Sequence, residues 1–216
     1  HAFHGSIYSR DHGGARLVNF RSASHRIQRT ARQADHASDE FLMISLQERG
    51  ACRLSQRQGE VELAQGDIGV LDSVQAFDID FPGDVERRMV LLPRALLQAR
   101  LPAFRHLSGP HRLAGDHALT RVLAETLSAL TSREDDLGDT LANTLLGSMA
   151  DLLAIRFAQV HNSAPALNGE ASFLRICRYI DDCSSEPGLT PAGIAQAHGM
   201  SLRTLQRLFH RHGTPG

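Results

Sequence analysis

Residues 190–212 read Thr190-Pro191-Ala192-Gly193-Ile194-Ala195-Gln196-Ala197-His198-Gly199-Met200-Ser201-Leu202-Arg203-Thr204-Leu205-Gln206-Arg207-Leu208-Phe209-His210-Arg211-His212. Thr190 is a preferred N-cap and Pro191 carries the fixed φ of a first helical position, so a helix starts here. A short helix over Ala192–His198 meets Gly199, which tolerates the positive φ of a tight turn. Ser201 then caps a second helix that runs to about Arg211. Two short helices joined by a glycine turn make a helix-turn-helix. Ile194 and Ala195 share a face of the first helix, while Leu205, Leu208 and Phe209 form the inward stripe of the second. Ala195 is small enough to let the helices cross closely. The outward face carries Leu202, Arg203, Gln206 and Arg207. Arg can donate to guanine O6 and N7, and Gln can pair with adenine N6 and N7, so this face suits the major groove. Arg211, His210 and His212 lie further along, where phosphates would be met. The competing reading is a small helical bundle whose arginines are simply solvated.

Charge distribution favours the first reading. The 216-residue chain has a formal net charge of −1, which by itself argues against a wholly basic nucleic-acid binder. Yet no acidic residue follows Glu186, whereas Arg203, Arg207 and Arg211 do. Hydrophobic residues make up 42% and charged residues 22%, an ordinary globular composition. No run approaches the roughly 20 consecutive apolar residues of a membrane span, and no signal peptide opens the chain. Cys52, Cys177 and Cys183 form no CxxC pair, as expected of thiols acting as small apolar side chains in a reducing cytoplasm. The chain starts on His1 and ends on Gly213-Thr214-Pro215-Gly216; both ends read as cut, so a longer parent protein is expected.

Upstream, the period is that of strands. From Ala15 to about Pro93, short apolar runs are broken by Gly and Asp. Phe41-Leu42-Met43-Ile44-Ser45-Leu46 ends before Gly50; Cys52, Leu54, Val61 and Leu63 alternate with polar residues. Ile68, Val70 and Leu71 follow the turn Gln65-Gly66-Asp67, and Phe77, Ile79 and Phe81 alternate strictly. Val90, Leu91 and Leu92 close the series. This spacing indicates an antiparallel sandwich or barrel. Asp78 and Asp80, between the apolar residues, are expected on its solvated face. Arg26, Arg29 and Arg32 read as an arginine-rich strand, either surface ion-pair partners or, for one of them, a partner of a ligand carboxylate; exposed Arg is the base expectation.

The period then changes. Leu119, Val122, Leu123, Leu127 and Leu130 mark an amphipathic helix, and Leu137, Leu141, Leu145, Met149, Leu152 and Leu153 a second running to about Val160. Thr131 to Asp136 is the polar turn between them. The pair is a helical hairpin suited to covering the β layer or to a partner subunit. Residues 161–169 lack periodicity and read as a linker. Phe173, Ile176, Cys177 and Ile180 make one more helical stripe.

The segments Leu189–Ala195, Gly199-Met200-Ser201 and Arg203–Phe209 resemble the first DNA-binding helix-turn-helix of AraC/XylS-type bacterial transcription regulators, and the helix over Phe173–Asp182 is similar to the one preceding that motif. Residues 25–30, 66–72 and 92–94 are similar, less sharply, to a cupin-like sensor domain of one branch of that family. The resemblance implies an α+β protein: a cupin-like antiparallel barrel or sandwich over 1–113, a dimerising hairpin over 114–160, a linker over 161–169 and a helix-turn-helix over 170–216. It further implies a ligand-responsive regulator, with double-stranded promoter DNA, a small-molecule effector, a second copy of the chain and possible contact with RNA polymerase as partners. No cofactor and no membrane are implied. The family's base readers match Arg203, Gln206 and Arg207; Ser201, Leu202 and Arg211 complete the expected DNA-contacting set, while effector contacts are not assigned. The family carries a second helix-turn-helix, and this sequence stops before it. Gly193 is a further departure, costing about 1 kcal/mol against Ala in a helix.

A cupin-like barrel raises the alternative of a metal-dependent enzyme with an incidental helical tail, and a module acting by protein contact is a third reading. A metal enzyme needs clustered His and carboxylate ligands. The stretch Val74-Gln75-Ala76-Phe77 has no His, and His25, His36, His106, His111 and His117 show no ligand spacing. The His-x-His at His210 lies in the helix-turn-helix. No nucleophile elbow, HExxH or P-loop occurs, so neither a catalytic nor a metal residue is expected.

Overall fold

The computed structural model describes residues 4–35, 40–57, 59–100, 109–132, 137–163, 169–183, 189–198 and 200–212. The chain divides into two compact units, His1–Leu96 with Ser108–Leu153, and Leu97–Leu107 with Ala154–Gly216.

The first unit is a two-layered antiparallel β structure. One sheet has the order β1 (Gly5–His12), β2 (Ala15–Ser22), β9 (Val85–Pro93), β4 (Phe41–Arg49), β7 (Ile68–Asp72) and β10 (His111–Leu113). The other has the order β3 (His25–Arg29), β8 (Phe77–Phe81), β5 (Cys52–Gln56) and β6 (Gly59–Leu63). Period-2 alternation sorts the side chains. On β8, Phe77, Ile79 and Phe81 are buried while Asp80 is exposed and Asp78 only half-buried, as the sequence reading expects. With Phe20, Cys52, Leu54, Leu63, Leu71 and Val85 they form the core between the sheets.

The six-residue apolar run of β4 has a physical cause: both faces of this strand are buried. Met43 packs on the inter-sheet core, whereas Leu42, Ile44 and Leu46 point the opposite way and are also buried. Helix α3 (Ala118–Thr131) packs against β9 and β2. Leu123, Leu127 and Leu130 are buried along it. Fully burying each such leucine contributes about 1.5–3 kcal/mol. The last turn of α3 is held by polar groups of the sheet. Arg10 donates to Leu130 O at 2.8 Å, Asn19 to Thr131 O at 2.8 Å and Arg88 to Ser128 O at 3.3 Å. Helix C-terminal carbonyls lack intrahelical donors and carry partial negative charge, which makes Arg a suitable partner.

The structure adds elements the sequence reading lacks. β1 precedes the expected start at Ala15; as a mostly exposed edge strand, with Ile7 70% exposed, it has no apolar alternation to signal it. Two five-residue helices, α1 (Ala31–Asp35) and α2 (Arg94–Gln98), were not expected, being too short for a periodic stripe. α1 also removes Arg32 from the expected arginine strand; Arg26 and Arg29 stay on β3. The second long helix, α4 (Gly138–Ser163), extends past Val160. Its stretch Gly138–Gln159 is long and apolar enough to cross a membrane by length and composition. Asn143, Thr144, Ser148 and Asp151 interrupt it, and Ala142, Leu146, Met149, Ala150 and Leu153 are buried within the protein.

The second unit contains α5 (Gly169–Cys183), α6 (Pro191–Ala197) and α7 (Leu202–His212). Of the expected linker, 161–163 belong to α4 and 169 to α5, while 164–168 lie outside the described residues. Ile176, Ile194, Ala195, Leu205 and Leu208 form the small core of the three helices. Phe173 and Phe209 meet edge to face at 5.0 Å between ring centroids.

Candidate functional sites

The sequence-derived DNA-contacting residues gather on α7. Thr190 caps α6, its Oγ1 accepting from Gly193 N at 3.1 Å, and Ser201 caps α7, its Oγ accepting from Thr204 N at 3.1 Å. The connection is tightened by Met200 N donating to Ala195 O at 2.9 Å; Gly199 lies outside the described residues. Leu205 and Leu208 turn inward, 4% and 9% exposed. Ser201, Leu202, Arg203, Gln206, Arg207 and Arg211 are all exposed. Arg203, Arg207 and Arg211 are spaced by four, so they stack along one line of the helix. His210 is exposed as well. This surface is a cationic helix face; on the opposite face Leu205 and Leu208 are buried in the small helical core and Phe209 packs against it partly buried.

A second constellation, absent from the sequence reading, lies inside the β unit. Arg87 is 1% exposed. Register places it opposite Phe20 on β2 and Gln47 on β4. Its Nη2 donates to Ser45 Oγ, and its guanidinium carbon stands 5.4 Å from the centroid of the Phe81 ring. Burial disfavours the cation and lowers its pKa, a tendency opposed by the nearby Cys52. For Cys52, burial pushes the thiol up while Arg87 pulls it down. Arg87 Nε has no acceptor and Gln47 Oε1 has no donor, although both atoms are buried. Around them stand aromatic rings: His25 stacks on Phe81 at 4.6 Å and meets Phe20 at 5.5 Å. Strand parity carried a signal here. Val85, Arg87 and Met89 alternate on β9, and the two apolar members flank a charged residue in an inward row.

Several other charged groups of the unit are paired, among them residues of a cleft that Arg87 and Phe20 also line. A cleft of about 600 Å³ has Tyr8, Asn19 and Ser132 among its lining residues. It also contains the pairs Arg88–Glu48 at 2.6 Å and Arg21–Glu86 at 3.4 Å. Arg26 pairs with Asp78 at 2.9 Å on the surface, the outcome expected for exposed Arg. Asp67, in the turn before β7, accepts from Ala64 N at 2.9 Å, Gly115 N at 2.9 Å and Arg112 Nε at 2.7 Å. Burial alone would raise its pKa; these donors outweigh it and hold the carboxyl below its usual value. At the far end of β7, Asp72 is buried and its carboxyl is pushed up, although Arg94 stands 3.1 Å away. Among the described residues, no three His, Cys, Asp or Glu side chains gather into a group that could hold a metal ion.

Comparison with known proteins places these features in context. The model of the AraC-binding-like domain matches residues 1–157. The transcriptional activator NphR of Rhodococcus sp is 24% identical over 208 residues, covering 95% of this chain and 62% of NphR. The chain thus spans less than two thirds of that relative's length. An uncharacterized protein in the nit 5'region of Bacillus sp. (strain OxB-1) is 24% identical over 216 residues, covering 96% of this chain and 83% of its own. The crystal structure of the AraC-like transcriptional activator CuxR superposes with a TM-score of 0.65 at 17% identity, covering 99% of this chain and 76% of CuxR. That likeness establishes a shared fold.

Proposed function

This chain belongs to the AraC-binding-like domain family, and on that premise we propose that it is the effector-sensing and DNA-contacting part of a ligand-responsive transcription regulator. The β unit senses a small molecule, and α6 and α7 act as a helix-turn-helix with α7 in the major groove. Arg203, Gln206 and Arg207 read base edges, Leu202 contacts the groove wall, and Arg211 meets phosphate; Ser201 holds the start of α7 in place. Two copies join through the hairpin of α3 and α4, whose Val122 and Leu141 are 49% and 48% exposed. Effector binding shifts the balance between arrangements of the two recognition helices, and so the spacing of the half-sites they reach. Contact with RNA polymerase would turn occupancy into activation.

The observation that carries this reading is the row of Arg203, Arg207 and Arg211 on a capped helix whose opposite face is buried. A solvated bundle face gives no reason for a chain of net charge −1 to collect only cations there. The test is fluorescence anisotropy with duplexes selected by this chain from a random pool. Neutralising phosphates releases counterions, so log affinity must fall linearly with log salt. Arg207→Ala is expected to cost about 1–3 kcal/mol and to relax preference at one base position. Selection that yields no enriched duplex, with no salt-dependent binding, would overturn the proposal.

A further inference from the structure

Leu202 is the odd member of the exposed face of α7. Its neighbours there, Arg203, Gln206, Arg207, His210 and Arg211, all carry hydrogen-bonding heads, whereas Leu202 offers only an isobutyl group, 41% exposed. Among the described side chains of α5, α6 and α7 no other large apolar group is exposed. The small core of the unit takes Leu205 and Leu208, with Phe209 packed against it, and leaves Leu202 out. Leu202 does nothing for the start of the helix either. The cap is Ser201 Oγ accepting from Thr204 N, and an acidic side chain in the first turn would suit the positive end of the helix dipole better. A lone exposed leucine is ordinary on most surfaces. This one stands in the first turn, where a recognition helix meets base edges.

Base edges in the major groove are donors and acceptors with one exception, the 5-methyl group of thymine. We propose that Leu202 determines specificity at one base pair of the half-site by packing on that methyl group. This role rests on the reading of α7 as the recognition helix, and turns Leu202 from a contact with the groove wall into a reader of one base.

Position sets where the thymine lies. Leu202 and Gln206 are four residues apart, hence on one line of the helix and about 6 Å apart along its axis. Base pairs are spaced by about 3.4 Å, so the two side chains reach pairs one or two steps apart. Gln206 matches adenine N6 and N7. The half-site therefore holds a thymine within about two base pairs of the adenine that Gln206 reads. Cytosine at that position is rejected for a physical reason. It has no methyl group, and its N4 amino donor would be covered by leucine and left without an acceptor.

The experiment replaces each thymine of an enriched duplex by uracil in turn, which removes the methyl group and leaves every hydrogen-bonding edge of the base pair unchanged. Binding of the full chain is read by fluorescence anisotropy. Losing one buried methyl group is expected to weaken binding about fourfold at one position, and hardly at all elsewhere. In Leu202→Ala the thymine and uracil duplexes are expected to bind alike. Leu202→Met, which keeps a flexible apolar reach, is expected to retain the preference for thymine. The slope of log affinity against log salt is expected to be the same in all three proteins, since no phosphate contact is altered. An enriched site without thymine, uracil tolerated at every position, a uracil penalty that survives in Leu202→Ala, or a shallower salt slope in that variant would each overturn the role. An enriched duplex bound in a salt-dependent way but without a uracil effect leaves the helix-turn-helix standing and removes only Leu202 as a reader. Failure to enrich any duplex removes both.

Discussion

Gly69 lies on β7, opposite Ser45 of β4 and two residues before Leu71. A Cβ there would lie 2.5 Å from Leu63 Cδ1, 2.7 Å from Leu54 Cδ1 and 3.3 Å from Ser45 Oγ. Both leucines are fully buried and have nowhere to retreat. Gly69→Ala is therefore expected to destabilise the β unit by about 1–3 kcal/mol, the usual cost of overpacking, read as a lower urea midpoint. A midpoint equal to wild type would show that the inter-sheet layer yields more easily than its packing indicates. Residue identity was legible where alternation was clean: Phe77, Ile79 and Phe81 face inward and Asp80 outward. It was not legible at Arg87, because side-chain chemistry votes against burial and only the parity shared with Val85 and Met89 votes for it.

Elements with a local signal were read well, and those without one were missed. Thr190-Pro191 and Ser201 mark helix starts by chemistry that acts within three residues, and α6 and α7 begin at Pro191 and Leu202. β1 lacks such a signal, since its place depends on pairing with β2 rather than on its own sequence. α4 outran its expected end for the converse reason: the His161-Asn162-Ser163 tail is helical although its composition favours a turn. The caps lead to an expectation for the helical unit. Ser201→Ala and Thr190→Ala should each cost about 1 kcal/mol, because each leaves a helix N–H without its acceptor. Loss of helical circular dichroism on heating measures this, and an unchanged midpoint in both variants would mean the caps are replaced by water without penalty. Gly193→Ala should gain less than the about 1 kcal/mol helix propensity offers, since the new methyl would sit 3.2 Å from the capping Thr190 Oγ1. That contact gives the glycine, an oddity in sequence, a local reason.

Across the whole molecule, stability must vary with pH through two aspartates at opposite ends of β7, Asp67 in the turn before it and Asp72 as its last residue. Asp67 ties the turn before β7 to Arg112 on β10 and to Gly115 just after it, and its carboxyl is held below its usual pKa. Its stabilisation is present above the unfolded value of about 4 and is lost as pH falls through the lower folded value. Asp72 has the opposite sign: burial raises its folded pKa. Its contribution is complete below about 4 and is lost as pH rises through that raised value. On acidification from neutral pH, protonation of Asp72 therefore stabilises first, and protonation of Asp67 destabilises afterwards. Tm measured from pH 7 to pH 3 should pass through a maximum. Asp72→Asn should flatten the neutral side of that maximum. Asp67→Asn should lower Tm at pH 7, by the loss of about 1–3 kcal/mol of charged hydrogen bonding, and flatten the acid side. The sequence marked the Gln65-Gly66-Asp67 turn by its residue types, but two of the three donors to Asp67 lie 45 and 48 residues away. If Asp67→Asn instead left the acid limb as steep as in wild type, other carboxylates would govern acid unfolding, and the tie from the turn before β7 to Arg112 and Gly115 would contribute little to holding the sandwich closed.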